Sequence, residues 1–416
     1  MSKKILIVGT GMYGCLTAYK ISKKFPNYQI TLIDKSDKVL SGFNSINVNN
    51  TKVNNGHHLI EVERNKGLYK FIKSLKISLK KINTSRAIVI ENTLIRENSP
   101  AKYYPNNIFN KKNIKTLTSN NYSKIYKEIP LSLKNIIKKT SLRYSKNFSE
   151  TLGSFIPWFL PKEFNYKSKD EGDLHRYKIR KSNLSSSGII PKSGLVETLR
   201  IPLYKKIKKI KNIDILLNTR VSFNSSQLKI FKKNQEIKNK YDFVFICSSP
   251  ISILKEINFK SFKKLLVNPR NFGLSIIKLK EKSKINFNEI LIMNSKIIEL
   301  SRISKIYSDK TNKKYLMEFS FANELQITKK FEKHLYILIK NIFNLKSNFK
   351  FSKIVFSRQT FKPNNSDLIK AENLIKNNLN NKNIKVLGKI NFIPINLSKV
   401  WNYSDLNVKL LNELSR

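Results

Sequence analysis

Acidic residues are scarce in this chain. Its 416 residues hold 28 Asp and Glu against 80 Lys and Arg, a formal net charge of +52. Alone, that imbalance would suggest nucleic acid or an anionic membrane as a partner. The lysines, however, are spread along the whole chain and come with abundant Asn and Ile, a pattern that biased codon usage alone produces. No nucleic-acid-binding motif accompanies them. The basic stretch from Lys111 to Lys139 has few aromatics and reads as a solvated helix face. Nucleic acid is therefore set aside as the main partner, and a positive pocket favouring small anionic substrates is the milder expectation. Cysteine is scarcer still. Cys15 and Cys247 lie in apolar segments without a C-x-x-C partner, so buried free thiols are expected. The four histidines, His57, His58, His175 and His334, have no metal-ligand spacing, so no metal is expected. No apolar run approaches about 18 residues, so no membrane-spanning helix is expected. The first run, Ile5 to Val8, is too short for a signal peptide, and a cytoplasmic location is the expectation.

What is present is concentrated at the start. Ile5-Leu6-Ile7-Val8 runs into Gly9-Thr10-Gly11-Met12-Tyr13-Gly14, a G-x-G-x-x-G. A helical segment from Cys15 to Phe25 follows, then a second apolar run, Gln29 to Ile33, ending on Asp34. Strand, glycine turn, helix, strand and acid together point to a dinucleotide site. Gly9 permits the tight turn, Gly11 lets backbone approach a pyrophosphate, and Gly14 with Ala18 lets the helix pack close to the sheet. The helix N-terminus offers N–H groups and a positive dipole end to phosphates. Asp34, 20 residues beyond Gly14, can accept bonds from ribose hydroxyls and disfavours a 2′-phosphate.

Further along, a polar loop holds Ser41-Gly42, and Asn54-Asn55-Gly56-His57-His58 leads to a helix near Lys66 to Ile72. Ala87 to Ile90 and Asn92 to Ile95 read as short strands around a turn. Residues 115–150 read as lysine-rich helix, and Phe155, Trp158, Phe159 and Phe164 as a core corner of a second domain. A glycine turn at Ser193-Gly194 precedes an amphipathic helix to about Ile210. Ile213 to Val221 reads as one strand, Leu228 to Phe231 as a short one. Tyr241 to Ile246 reads as a buried strand ending in Cys247-Ser248-Ser249, where parallel sheets place ligands. Strands are expected at Phe272 to Leu279, Glu289 to Met293, Ile298 to Ile303 and Tyr315 to Phe321, then a helix from Ala322 to Phe343. The tail reads as a strand into Gly388 and a last helix from Asn396, a plausible N-cap, to about Leu414.

Together these segments resemble the FAD-dependent amine-oxidase-like flavoproteins, nearest the UDP-galactopyranose mutase and protoporphyrinogen-oxidase-type branches. Five places carry the resemblance: the glycine fingerprint through Asp34, Asn55 to His58, Pro191 to Val221, Tyr241 to Ser249, and Val386-Leu387-Gly388-Lys389 with Pro394 to Leu397. It implies FAD as cofactor and an α/β fold: a discontinuous Rossmann-like FAD domain (1–75, 190–255 and 355–416) with an inserted mixed α+β substrate domain (76–189 and 256–354). The implied cofactor residues are Gly9, Gly11, Met12, Tyr13, Gly14, Asp34, Lys35, Gly42, Gly56, His57, Val221, Ser248, Gly388, Asn396 and Leu397, with Val221 serving the adenine side through its backbone. His58 would stand beside the flavin as hydrogen-bond donor, acid/base group or structural residue. Arg180 and Arg302 would hold a substrate carboxylate or phosphate, or form ordinary ion pairs. Two departures stand out. The paired glycine after the ribose acid is only Ser41-Gly42, and the family's closing glycine-arginine is Gly388-Lys389, which keeps charge but loses a bidentate fork. The expected activity is an FAD-dependent oxidoreductase on a small, anionic substrate. The alternatives are a mutase-like isomerase of sugar nucleotides and a catalytically silent FAD-binding protein.

Overall fold

The structure is a computed structural model that describes residues 2–48, 50–55, 60–61, 66–82, 86–90, 93–95, 188–224, 227–248, 270–279, 289–293, 300–308, 314–321, 329–342, 349–351, 355–359, 365–380, 384–390 and 397–415. Elements are numbered along the chain. The central layer is a five-stranded parallel sheet. Its strands are β1 (Lys4–Val8), β2 (Gln29–Ile33), β10 (Ile213–Leu216), β14 (Phe243–Ile246) and β21 (Lys385–Leu387), in the order β10-β2-β1-β14-β21. β1 sits in the middle, pairing Ile5 with Ile30 on one side and with Phe243 on the other.

The central strands β1, from Ile5, and β14 are apolar at consecutive positions because both faces are covered. Alternate residues serve alternate faces. Ile5, Ile7, Ile30, Leu32, Phe243 and Phe245 join a core with helices α1 (Met12–Lys24), α2 (Lys66–Lys73), α3 (Arg200–Lys208) and α6 (Leu397–Leu414). Leu6, Val8, Ile33, Val244, Ile246 and Val386 face the other way. There they meet Ile375 and Leu379 of α5 (Asn365–Leu379) and the antiparallel sheet β11 (Thr219–Asn224), β12 (Gln227–Lys232) and β13 (Gln235–Ile237).

Two smaller sheets flank the frame: the hairpin β3 (Ser45–Val48) and β4 (Thr51–Asn54), and the set β5 (Ile60–Glu61), β9 (Gly188–Pro191) and β6 (Leu79–Ile82). A separate eight-stranded sheet contains β7 (Arg86–Ile90), β8 (Thr93–Ile95), β15 (Arg270–Leu279), β16 (Glu289–Met293), β17 (Leu300–Ser308), β18 (Lys314–Phe321), β19 (Phe349–Phe351) and β20 (Val355–Gln359). It is antiparallel except where β16 pairs parallel with β7. Helix α4 (Lys329–Ile342) follows β18 and buries Leu335, Leu338 and Ile339.

Several boundaries differ from the sequence reading. Helix α1 starts at Met12, not Cys15, since Gly11 is already its N-cap. The expected single strand from Ile213 to Val221 is two strands in different sheets. Asn218, at φ +53, breaks it; asparagine tolerates that left-handed conformation. The helix after Gly194 opens with a 3-10 turn at Val196–Leu199 and ends at Lys208. Helix α5 was not anticipated. The stretch 115–150, the Phe155 to Phe164 cluster and the basic stretch Lys111 to Lys139 lie outside the described residues.

Candidate cofactor site

The turn between β1 and α1 contains three glycines with different causes. Gly9 has φ +108, and a Cβ there would lie 2.7 Å from the Ser248 amide nitrogen. Gly9 N–H donates to the Ile33 carbonyl at 2.7 Å, closing the turn against β2. A Cβ on Gly14 would run into the Gly9 carbonyl oxygen. These two glycines are demanded by the protein's own packing. Gly11 is not. Its φ of −62 and ψ of 174 suit any residue, and among the described residues no atom beyond its chain neighbours lies within 4 Å of where its Cβ would stand. That cleared space fits the close approach of a ligand to backbone.

Helix α1 presents its N-terminus there without a side-chain cap and without an acid in its first turn. Its first backbone bond runs from Cys15 N–H to the Gly11 carbonyl at 3.0 Å. The N–H groups of Met12, Tyr13 and Gly14 precede that ladder and can receive an anion. The donor set and the cleared backbone therefore fit a cofactor pyrophosphate.

Asp34 flanks the turn. Its Oδ2 accepts the Thr10 N–H at 2.7 Å and the Thr10 hydroxyl at 2.8 Å; its Oδ1 accepts the Ser36 N–H at 2.9 Å. These bonds fix the carboxylate while leaving acceptor capacity on the half-buried side chain. The β10–β11 junction packs on the same backbone: Asp34 N–H donates to Leu216, and Thr219 N–H donates to the Asp34 carbonyl at 2.8 Å. Val221, half-buried and opposite Ile230, follows two residues later, so the structure brings its strand to the acid. Lys35 is exposed.

The closing strand reaches the same end of the sheet. Gly388, buried at φ +78, leaves no room for a Cβ because Asn407 of α6 occupies the place. Asn407 is wholly buried; its Nδ2 donates to the Tyr13 and Thr17 hydroxyls at 3.0 Å each. The Tyr13 hydroxyl can donate to the Lys389 carbonyl at 3.3 Å, and burial pushes its pKa up. Tyr13 thus offers a ligand its backbone, while its hydroxyl locks α1 to α6. Lys20 adds to that lock with Asp405 at 2.6 Å and the Trp401 ring at 3.6 Å; burial lowers its pKa to about 8, opposed by Asp405. Leu397 is buried at the start of α6.

Cys15 and Cys247 are both free thiols. Burial, then the Asp34 charge, pushes Cys15 up to about 12, and its Sγ points to the Thr10 carbonyl at 3.3 Å. Cys247 is a free thiol, only half-buried contrary to the expectation of a buried one, because it ends β14 at the rim of the sheet.

Not every expected residue is brought to this end. Arg302 lies on β17 of the eight-stranded sheet, opposite Leu291 and Ser320. Gly56, His57, His58, Arg180 and Asn396 lie outside the described residues. Sequence reasoning missed four residues. Thr10 is the variable residue inside the first G-x-G, which was the available signal. Buried Asn54 accepts the Val196 N–H and donates to the Gly194 carbonyl, both at 2.8 Å. Asn407 and Arg200 had no local signal at all.

The comparisons agree with this geometry. Residues 7–75 match the family model described as NAD(P)-binding Rossmann-like domain. No curated protein matches the chain in sequence. Among solved structures, a reduced UDP-galactopyranose mutase is similar with TM-score 0.67 and 11% identity, covering 99% of this chain and 96% of that one. Cyclohexylamine oxidase from Brevibacterium oxydans is similar with TM-score 0.62 and 11% identity over 100% of both chains. A candidate protoporphyrinogen oxidase from Exiguobacterium is similar with TM-score 0.61 and 11% identity, again over 100% of both. Among the described residues no helix is long and apolar enough to cross a membrane. With a parallel sheet in the order β10-β2-β1-β14-β21, a Rossmann-like match at its glycine turn and likeness over the whole chain, this protein has the fold of the FAD-dependent amine-oxidase-like superfamily.

Proposed function

We propose that this protein is an FAD-dependent oxidoreductase acting on a small, anionic substrate. The observation that carries the reading is Gly11: the fold does not need a glycine there, yet among the described residues the space its Cβ would take is clear, beside helix N–H groups that precede the helix ladder. In this reading the N–H groups of Met12, Tyr13 and Gly14 hold the pyrophosphate, and Asp34 takes the ribose hydroxyls. Gly42, Lys35, Val221, Ser248, Gly388 and Leu397 line the remaining length, with Gly56, His57 and Asn396. Bound FAD would supply hydride acceptance at its flavin ring. His58 would orient or exchange a proton with the substrate beside it, and Arg180 or Arg302 would bind the substrate's carboxylate or phosphate.

The division into a cofactor part (1–75, 190–255, 355–416) and a substrate part (76–189, 256–354) belongs to the same proposal. Sheet membership follows this division only in part: the parallel sheet draws on the cofactor part and most of the eight-stranded sheet on the substrate part, but β20 (355–359) pairs with β15, and β6 (79–82) joins β5 and β9. A second reading, a redox-neutral isomerase of sugar nucleotides, is favoured by the likeness to the mutase.

The test is the purified protein. Yellow colour with flavin absorption bands and released FAD supports the reading; a colourless protein that binds NAD instead rejects it. Turnover that needs a reductant without consuming it selects the isomerase. A bound flavin that never reduces or reoxidises selects the silent protein. A ligand screen by flavin spectrum checks the substrate charge: response to neutral or cationic amines only would remove the anionic assignment.

A further inference from the structure

The loop after Asp34 makes a second turn against the first, and its construction is unusual. Leu40 holds φ +50, a left-handed conformation that is strained for a leucine. Its N–H donates to the Thr10 carbonyl at 3.0 Å, which fixes the loop beside the residue preceding Gly11. The Phe43 N–H closes the turn on the Leu40 carbonyl at 2.7 Å. Leu40 and Phe43 are both buried in the core, while Gly42 between them is exposed and, among the described residues beyond its chain neighbours, has no atom within 4 Å of its would-be Cβ.

What holds this turn comes from far along the chain. Arg200, on the first turn of α3, donates from Nε to the Leu40 carbonyl at 3.3 Å and from its terminal nitrogen to the Phe43 carbonyl. Both ends of the strained turn are therefore tied to one guanidinium. The guanidinium lies 4.0 Å from Glu197, which also accepts Lys52 at 2.5 Å and the Ser45 hydroxyl at 2.7 Å. A planar fork can serve two carbonyls at once; lysine, a single point of charge, cannot do so in the same geometry.

We propose that Arg200 is a positioning residue that holds the Ser41–Gly42 backbone against the phosphate-facing turn, so that an adenosine diphosphate group meets two glycine turns, not one. The inference rests on the nucleotide site proposed above.

The experiment uses the full chain freed of flavin, titrated with FAD, ADP and FMN, alongside thermal melting and amide exchange of residues 41–44. Arg200→Met and Arg200→Lys are each expected to weaken FAD and ADP about tenfold, leave FMN unchanged and speed exchange at 41–44. Gly42→Val is expected to melt like the wild type yet weaken FAD and ADP, because its side chain enters space that no atom of the described residues fills. Unchanged FAD and ADP affinity in Arg200→Met, with only a lower melting point, overturns the inference by making Arg200 a mere stabiliser. Unchanged exchange at 41–44 overturns it as well, whatever the ligand. Wild-type protein that binds neither FAD nor ADP removes the nucleotide reading itself, a separate result.

Discussion

Two turns stand side by side at the carboxyl end of the parallel strands, and they are built in opposite ways. The first, Gly9 to Gly14, is made from consecutive residues: Gly9 turns at φ +108, and a Cβ on Gly14 would meet the Gly9 carbonyl inside the same turn. The second, Leu40 to Phe43, holds a strained leucine in place through Arg200, a residue 160 positions away from Leu40. The first turn is a motif because the reasons for its glycines, a positive φ at Gly9, a cleared approach at Gly11 and close packing at Gly14, recur at fixed spacing along consecutive residues. The second has no motif because its constraint is answered from another segment, and any residue able to reach two carbonyls could have answered it.

The comparison is broken most severely at Gly14. Gly14→Val drives a side chain into the Gly9 carbonyl, an overpacking expected to cost about 3 kcal/mol or more. Thermal melting checks it; a wild-type melting point would mean that α1 does not approach β1 as described. Gly11→Val separates the two uses of glycine within one motif. Replacing a good N-cap residue should cost only about 1 kcal/mol, with the fold retained, while FAD is lost on purification. Stoichiometric FAD in that variant would show that the site lies elsewhere.

Asn54→Ala sharpens the tertiary side of the contrast. It orphans the buried Val196 N–H and the Gly194 carbonyl, at an expected cost of about 2 kcal/mol in denaturant unfolding. No loss would mean that the tie between the β3–β4 hairpin and the Gly194 turn is dispensable.

The smallest expected effect is a pH dependence. Burial acts to raise the Glu197 pKa, but Lys52, Ser45 and Arg200 together outweigh it and hold the group below its ordinary 4.5. A depressed folded pKa means stability that is present above the unfolded value and lost as pH falls through the folded one. Wild-type protein should therefore lose more stability than Glu197→Gln between about pH 5 and 3. Parallel melting curves for the two proteins across that range would remove Glu197 from the support of the second turn.

The sequence by itself determined the sheet's central strands and the first turn. Consecutive apolar residues at Ile5 to Val8 and Phe243 to Ile246 require cover on both faces, and a glycine spacing with an acid after the second strand allows few other local geometries. Only the tertiary structure decided that Ile213 to Val221 divides between two sheets at Asn218, that Thr10 and not solvent holds Asp34, and that Asn407 fills the space against Gly388. It also decided that the turn before Gly42 would rest on a leucine at φ +50 held by a distant arginine. The physical reason is range: backbone sterics and strand periodicity act over a few neighbouring residues, while hydrogen bonds such as those of Arg200 to Leu40 and Phe43 exist only once segments distant in the chain have packed together.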